Sequence, residues 1–392
     1  MSDALMNTYG RLPVTLVRGE GARVWEDSGR EYLDALAGIA VCGLGHAHPA
    51  VAEALADQAR RLVHVSNNYH IPTQQELGRR IAERAGQERV FFCNSGAEAN
   101  ETAIKIARRY GHDRGIEAPR IVVCEQAFHG RTLATLTATG NPKAQAGFGP
   151  LVEGFDRVPF GDIDAIRTLA DERADIVAVM IEPVQGEGGI RPLPKGRLAE
   201  LRALCDEMGW LLICDEIQSG MGRTGAWFAQ QHDGVTADVT TVAKALGNGV
   251  PIGACLARGE AGETLVPGSH GTTFGGNPLA CRAGLAVLDA IDQGALVERA
   301  AVLGERMVSG FRQTLGDLDG VREIRGRGLM IGIELDRECG ELMRRALDAG
   351  LLINVTAGNT LRLLPPLIIT DDEADRIVDG VATIARDFLA EG

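Results

Sequence analysis

The sequence predicts an α/β fold: a large domain built on a mostly parallel sheet, with a smaller α+β domain beside it. Three observations carry this expectation. The chain is 392 residues long, more than a single small hydrophobic core accommodates. Through its middle, short apolar runs alternate with helix-period segments, as in a parallel sheet covered by helices. After about residue 290 the rhythm changes to long amphipathic helices separated by single strands. The expected division is therefore 50–290 for the large domain and 1–49 plus 291–392 for the small one.

Taken in order, VRGEGARVWEDSGREYLD reads as strand–turn–strand around Asp27 to Gly29 and is expected to join the C-terminal part. The large domain draws its strands from 89–95, 120–126, 175–183, 210–217, 238–244 and 253–258. Its helices include 97–110, 195–208 and 276–292. Beyond these come a long amphipathic helix, a strand at 328–335, another helix, a strand at 361–367 and a closing helix. The closing helix starts at TDDE, where Thr370 and Glu373 have capping-box spacing.

A formal net charge of −13 argues against nucleic acid and anionic membrane as partners, since both need a basic footprint. An anionic small molecule stays open, because a few clustered arginines can oppose the global charge. The eight cysteines are scattered without a CxxC pair, and several lie in strand-like runs such as VFFCNS and LLICDE. They read as reduced core thiols. MSDALMNTYGRLPV lacks a signal pattern and LAGIAVCGLG is too short to span a bilayer. A cytoplasmic location is expected.

Two charges stand where an open α/β sheet binds its ligands, at the carboxyl ends of strands. Asp215 follows the apolar run LLIC, and Lys244 follows DVTTVA and precedes a glycine-rich loop. A buried carboxylate calls for a cationic partner, and a desolvated lysine becomes a nucleophilic amine. A protonated pyridine carrying an aldehyde satisfies both. A helix cap for the aspartate and a solvent-reaching lysine are the plainer alternatives. In FFCNSGAEANE a strand runs into Ser95, Gly96 and Ala97 and then a helix, with Ser95 and Glu98 in capping-box spacing. Such a start presents free amides to a phosphate, or is simply a capped helix. His46 and His48 in GHAHP have HxH spacing, but no carboxylate or cysteine cluster accompanies them in sequence, so no metal is expected. RGRG at 325–328 lacks the remaining glycine spacing and following helix of a dinucleotide loop.

These blocks, in order with FHGRT, EPVQGEGG, DEIQSGMGRTG, KALGNG, HGTTFGGNPLAC and LRLLPPLI, resemble the class III (ω-amino acid) aminotransferases. The likeness covers nearly the whole chain and is greatest to members acting on acetylornithine. It implies the fold type I architecture of pyridoxal 5′-phosphate (PLP) enzymes. Lys244 would hold the cofactor and move the proton, and Asp215 would pair with the ring nitrogen. Gln218 would reach the ring oxygen, with Ile217 on one ring face and Phe128 on the other. Ser95, Gly96 and Ala97 would hold the phosphate. Thr273 would reach the phosphate of a neighbouring subunit and Thr272 would lie near substrate, implying a homodimer with shared active sites. Arg362 would bind the glutamate α-carboxylate and Glu187 would mask it otherwise. Arg131 would bind the distal carboxylate, and Tyr9 matches a position near substrate. His129 is expected to be a structural hydrogen-bonding residue.

The implied reaction moves the terminal amine of N-acetylornithine to 2-oxoglutarate. Succinyldiaminopimelate, succinylornithine, ornithine and 4-aminobutyrate remain as donors, because one methylene or acyl group changes discrimination by only about 1–3 kcal/mol. An aminomutase and an effector-binding module are the other readings of the fold. The Glu187 and Arg362 pair argues against the first, and the acidic balance against the second. The sequence departs from the family's usual pattern at Ala97, where a threonine is common, and at Asn248, where a glycine is. Ala97 must then act through its backbone amide, and Asn248 is expected to have little effect, since Asn tolerates positive φ.

Overall fold

The computed structural model describes residues 4–391. Seven short strands form one sheet in the order Arg89–Cys93, Gly253–Ala257, Val239–Val242, Leu211–Asp215, Ile176–Ile181, Arg120–Cys124 and Phe155–Val158. All neighbours are parallel except Gly253–Ala257, which runs antiparallel to both of its own. Its reversal follows from the connection before it. Residues 243–252 hold only the short turn Lys244–Leu246 and no crossover helix, so the chain can only fold straight back.

The central strands Ile176–Ile181 and Leu211–Asp215 are buried along their whole length, as expected of a sheet covered on both faces. Alternate side chains go to opposite layers: Leu212 and Cys214 pack with Val122 and Leu198, Leu211 and Ile213 with Ile104 and Val123. The expected strands are all present, but each overruns its ladder at the carboxyl end. The excess is two residues everywhere except the last, where it is one. The residues cut off include Asn94, Ser95, Glu216, Ile217, Ala243 and Lys244, which leave the sheet to line a cavity or its support.

The expected helices appear as Gly96–His112, Arg197–Met208 and Pro278–Gln293. In the C-terminal part, Val321–Arg327, Met330–Leu335, Thr360–Leu363 and Asn354–Thr356 form an antiparallel sheet. RGRG is thus part of a strand and its turn. The expected strand 361–367 stops at Leu363, before the Pro365–Pro366 pair that cannot donate to a ladder. The N-terminal strands Arg23–Glu26 and Glu31–Asp34 gain an outer strand, Leu16–Glu20, and are joined on the other side by Leu351–Leu352. One apolar cluster runs from Leu77 and Leu246 through Phe311 and Ile331 to Ile377, so the C-terminal elements and the sheet's flank share a core. Among the described residues no helix is long and apolar enough to cross a membrane.

The closing helix Asp371–Ala390 carries the full capping box. Thr370 Oγ1 accepts from the Glu373 amide at 3.2 Å, and Glu373 Oε2 accepts from the Thr370 amide at 3.1 Å. Glu373 also takes a hydrogen bond from Arg23 Nη2 at 3.1 Å, which ties this helix to the N-terminal strands. Thr370→Ala is expected to lower the unfolding free energy by about 1 kcal/mol, read as a lower urea midpoint at constant slope. Thr370→Ser should keep most of it.

Candidate active site

At the carboxyl edge of the sheet lies a cavity of ≈ 380 Å³. Its lining brings together Ser95, Gly96, Ala97, Phe128, Arg131 and Glu187 with Asp215, Ile217, Gln218 and Lys244. Asp215 ends its strand and is 5% exposed. Its Oδ2 accepts from Asn100 Nδ2 and from His129 Nδ1, both at 2.8 Å, and its Oδ1 accepts from the Ile217 amide at 3.1 Å. Asn100 is itself held by Thr241 Oγ1 at 2.8 Å and by the His129 carbonyl at 2.7 Å. Burial works against a charge on His129, but the hydrogen bond to Asp215 and the charges of Asp215 and Glu182 together outweigh it and hold the imidazole pKa above its ordinary value. A carboxylate fixed by this many donors presents a stationary negative end to the cavity.

Lys244 has a left-handed backbone, φ +42°, which is costly for a residue with a Cβ and persists only where the surroundings impose it. The turn redirects the chain so that the side chain faces the cavity. Burial pushes its ammonium pKa down to about 8, leaving far more neutral amine near neutrality than a free lysine has.

Gly96 opens a 17-residue helix, and a Cβ there would meet Ile217 Cδ1 at 2.8 Å. The close approach places the first helical amides beside the ring-sized space under Ile217. Ser95 caps this helix, its Oγ accepting from the Glu98 amide at 3.2 Å. The reciprocal half of the expected capping box is absent: Glu98 Oε2 instead accepts from Asn94 N and Nδ2, at 2.9 and 2.8 Å. The Ser95 amide therefore keeps no partner from Glu98.

Phe128 and Ile217 supply apolar walls, and the Arg131 guanidinium lies 5.5 Å from the Phe128 ring centre. Gln218 is buried, and its Oε1 has no hydrogen-bond partner; a buried amide without a partner is rare unless something else meets it. Behind Glu187 lies Arg362, 1% exposed. Its Nη1 pairs with the Glu187 carboxylate and its Nη2 donates to Asn354 Oδ1 at 2.6 Å.

Four expected residues fall outside this cavity's lining: Arg362, which stands behind Glu187, and Tyr9, Thr272 and Thr273. Tyr9 is 71% exposed on the N-terminal segment. Thr272 and Thr273 line an adjoining space of ≈ 310 Å³ with Asn94 and Glu98, where Thr272 Oγ1 accepts from Asn94 Nδ2 at 3.4 Å. The sequence reading missed Glu182. It is buried, its Oε2 accepts from the Phe128 amide at 3.0 Å and its Oε1 from the Gly186 amide at 3.2 Å. Burial raises its pKa to about 7. The available signal was the one used for Asp215, an acid directly after an apolar strand. His46, one of the HxH pair, has its Nε2 2.7 Å from Asp34 Oδ2, so its carboxylate partner comes from twelve residues away. Among the described residues no group of three metal-ligating side chains occurs.

An acidic anchor, a partly neutral amine, a helix start free for an anion, two apolar walls and a carboxamide whose oxygen has no partner suit one ligand type. That ligand is a flat, cationic, phosphorylated ring bearing an aldehyde, and the residues present fit pyridoxal 5′-phosphate.

Residues 5–385 match the family model described as aminotransferase class-III. Acetylornithine aminotransferase of Nitrosomonas europaea is 53% identical over 385 residues, covering 98% of each chain. Among solved structures, ornithine aminotransferase from Toxoplasma gondii ME49 matches with a TM-score of 0.95 at 35% identity, over 99% of this chain and 94% of its own. Acetylornithine aminotransferase from Elizabethkingia anophelis matches at 0.87 and 34% identity, over 97% and 96%.

Asn248 departs from the expectation of little effect. Its φ is +48°, and its side chain staples a neighbouring loop: Oδ1 accepts from the Leu44 amide at 2.8 Å and Nδ2 donates to the Gly45 carbonyl at 3.0 Å. That loop follows Val41, which lines the cavity. Asn248→Gly keeps the backbone conformation but loses both bonds. It is expected to cost about 1–3 kcal/mol, seen as a lower Tm and faster amide exchange at Leu44.

Proposed function

The chain belongs to the class-III aminotransferases, and from that premise we infer that it moves the terminal amino group of N-acetylornithine to 2-oxoglutarate. The products are N-acetylglutamate semialdehyde and glutamate, which places the enzyme in arginine biosynthesis. The observation that carries the two-substrate reading is the Glu187–Arg362 pair, whose Glu187 lines the same cavity as Lys244 with Arg362 directly behind it. The acetylornithine choice is supported by the similarity to acetylornithine aminotransferases over the full chain.

Pyridoxal 5′-phosphate, when bound, supplies an aldehyde that captures the amine and a protonated ring that takes up the electron pair left on the substrate carbon. The chain's own residues do the rest. In this reading the amides of Ser95, Gly96 and Ala97 bind the phosphate, and Asp215 keeps the ring nitrogen protonated. Gln218 reaches the ring oxygen, while Ile217 and Phe128 close the two faces. Lys244 Nζ takes the proton from the amine-bearing carbon and holds it for return.

The substrates impose a conflict. The donor reacts at a carbon without a carboxylate, whereas glutamate reacts at one that bears it. Glu187 neutralises Arg362 for the first and leaves it for the second, when Arg362 binds the α-carboxylate. Arg131 binds the distal carboxylate of either substrate; Tyr9, outside this chain's own cavity, is assigned near substrate only by the family position that it matches. Thr272 and Thr273 serve the site of a second copy, Thr273 at the phosphate. Their place outside this chain's cavity supports a homodimer, as do the exposed Phe274, Tyr69 and Met6 at 64%, 67% and 84%. Residues 50–290 form the cofactor-binding domain in this reading, 1–49 with 291–392 the smaller one, and the enzyme works in the cytoplasm.

Steady-state comparison of amino donors, with glutamate formation as readout, tests the substrate. The expected order puts kcat/KM for acetylornithine well above those for ornithine and 4-aminobutyrate; either of the latter winning would overturn the choice. Lys244→Ala is expected to abolish the visible absorbance of bound cofactor together with turnover. Because the lysine amine must be neutral to attack, cofactor uptake by the apo-protein should rise with pH through a midpoint of about 8. A midpoint near the ordinary lysine value of 10.5 would contradict the depressed pKa.

A further inference from the structure

Arg362 divides its charge between two acceptors of different kinds. Glu187 sits in the connection between the strands Val184–Gln185 and Arg191–Pro192, and its side chain is 36% exposed. It can leave Arg362 by side-chain rotation alone, because its carbonyl is held separately by Thr356 Oγ1 at 2.5 Å. Asn354 has no such freedom. It stands directly opposite Arg362 in the antiparallel pairing of Asn354–Thr356 with Thr360–Leu363, so backbone register keeps the two side chains on one face. The same short strand therefore holds Arg362 through Asn354 and the backbone of Glu187 through Thr356.

We propose that Asn354 is the positioning residue that keeps Arg362 in place once Glu187 has swung away, and that its neutrality leaves the arginine's charge free for an incoming α-carboxylate. A guanidinium has only donors, so the Asn354 carbonyl oxygen, and not its NH₂, must face it. An aliphatic side chain at 354 would leave a buried Nη2 without a partner, in addition to the Nε that already has none. An aspartate would satisfy Nη2 but act as a permanent counter-ion, fixed by the strand and unable to withdraw. Asparagine combines an acceptor that reaches Nη2 from the facing strand with the absence of charge. A neutral, immobile acceptor and a charged, mobile one together let the arginine be switched without being moved.

The inference rests on the reading that Arg362 binds the α-carboxylate, and the test separates the two. The holoenzyme's half-reactions are followed one at a time by single-turnover absorbance, with acetylornithine as donor and 2-oxoglutarate as acceptor. Asn354→Asp, Asn354→Leu and Arg362→Lys are compared. Asn354→Asp is expected to weaken the apparent affinity for 2-oxoglutarate about tenfold or more, while the donor half-reaction stays within about twofold. Asn354→Leu, which adds no charge, should give a smaller loss on the acceptor side, again with the donor side preserved. Equal loss in both half-reactions for both variants would mean that Asn354 only maintains the fold, and no loss in either would mean that it does nothing for Arg362. Both results overturn the inference. If Arg362→Lys weakens 2-oxoglutarate but Asn354→Asp does not, the proposal for Asn354 falls alone. Arg362→Lys without effect on 2-oxoglutarate removes the underlying reading and the inference with it.

Discussion

The immobilisation of Asp215 is the constraint on which the cavity depends. A carboxylate at 5% exposure is tolerable only if its oxygens are satisfied, and meeting that demand recruits three segments. Asn100 comes from the helix that begins at Gly96, His129 from the loop beside Phe128, and the Ile217 amide from the chain just beyond the strand. Each of those segments also carries a wall of the cavity. The hydrogen bonds that stabilise one buried charge thus set the distance between the helix start and the two apolar faces. Thr241 extends the network to the strand that ends next to Lys244, so anchor and amine are positioned from adjacent strands.

Glu182 provides a second, similar clamp one strand further along. Its two oxygens bind the amides of Phe128 and Gly186, joining the loop that bears an apolar wall to the turn that bears Glu187. With Asp215 and His129 close by, burial lifts the Glu182 pKa to about 7. The interior of the site therefore holds several ionisable groups whose charges depend on one another. Arg362 is held by Glu187 and Asn354 rather than by that group, yet the charges of Arg362 and Glu187 act on the Lys244 amine in opposite directions, so control of substrate carboxylates stays coupled to the amine.

Much of this was legible in the sequence because strand ends are chemically conspicuous. LLICD and DVTTVAK place a charge immediately after an apolar run, and the physical rule that ligands gather at carboxyl ends does the rest. The failures have identifiable causes. Strand spans ran one or two residues long because the sequence does not mark where the ladder stops: the residues after it, such as Asn94–Ser95, Glu182 and Ile217, leave the sheet in extended or turning backbone that its pattern does not distinguish. Ser95–Glu98 has capping-box spacing, yet Asn94 competes for the same carboxylate and wins with two donors. Asn248 was judged by backbone tolerance alone, since nothing in KALGNG reveals that residues 44 and 45 fold against it. Tyr9, Thr272 and Thr273 could be placed only by resemblance, because a single chain's sequence carries no signal for what a second copy contributes.

The carboxyl-edge overhangs have a consequence for how such a protein can change. Five ladders end two residues before the strand spans expected from the sequence do, and several of the overhanging residues, among them Ser95, Ile217 and Lys244, are what a ligand meets. A substitution or small insertion in one overhang reshapes one wall while the ladders beneath it keep their register. The scaffold thus separates inheritance of the cofactor chemistry from drift in donor preference: lineages can diverge in what they accept without first having to refold.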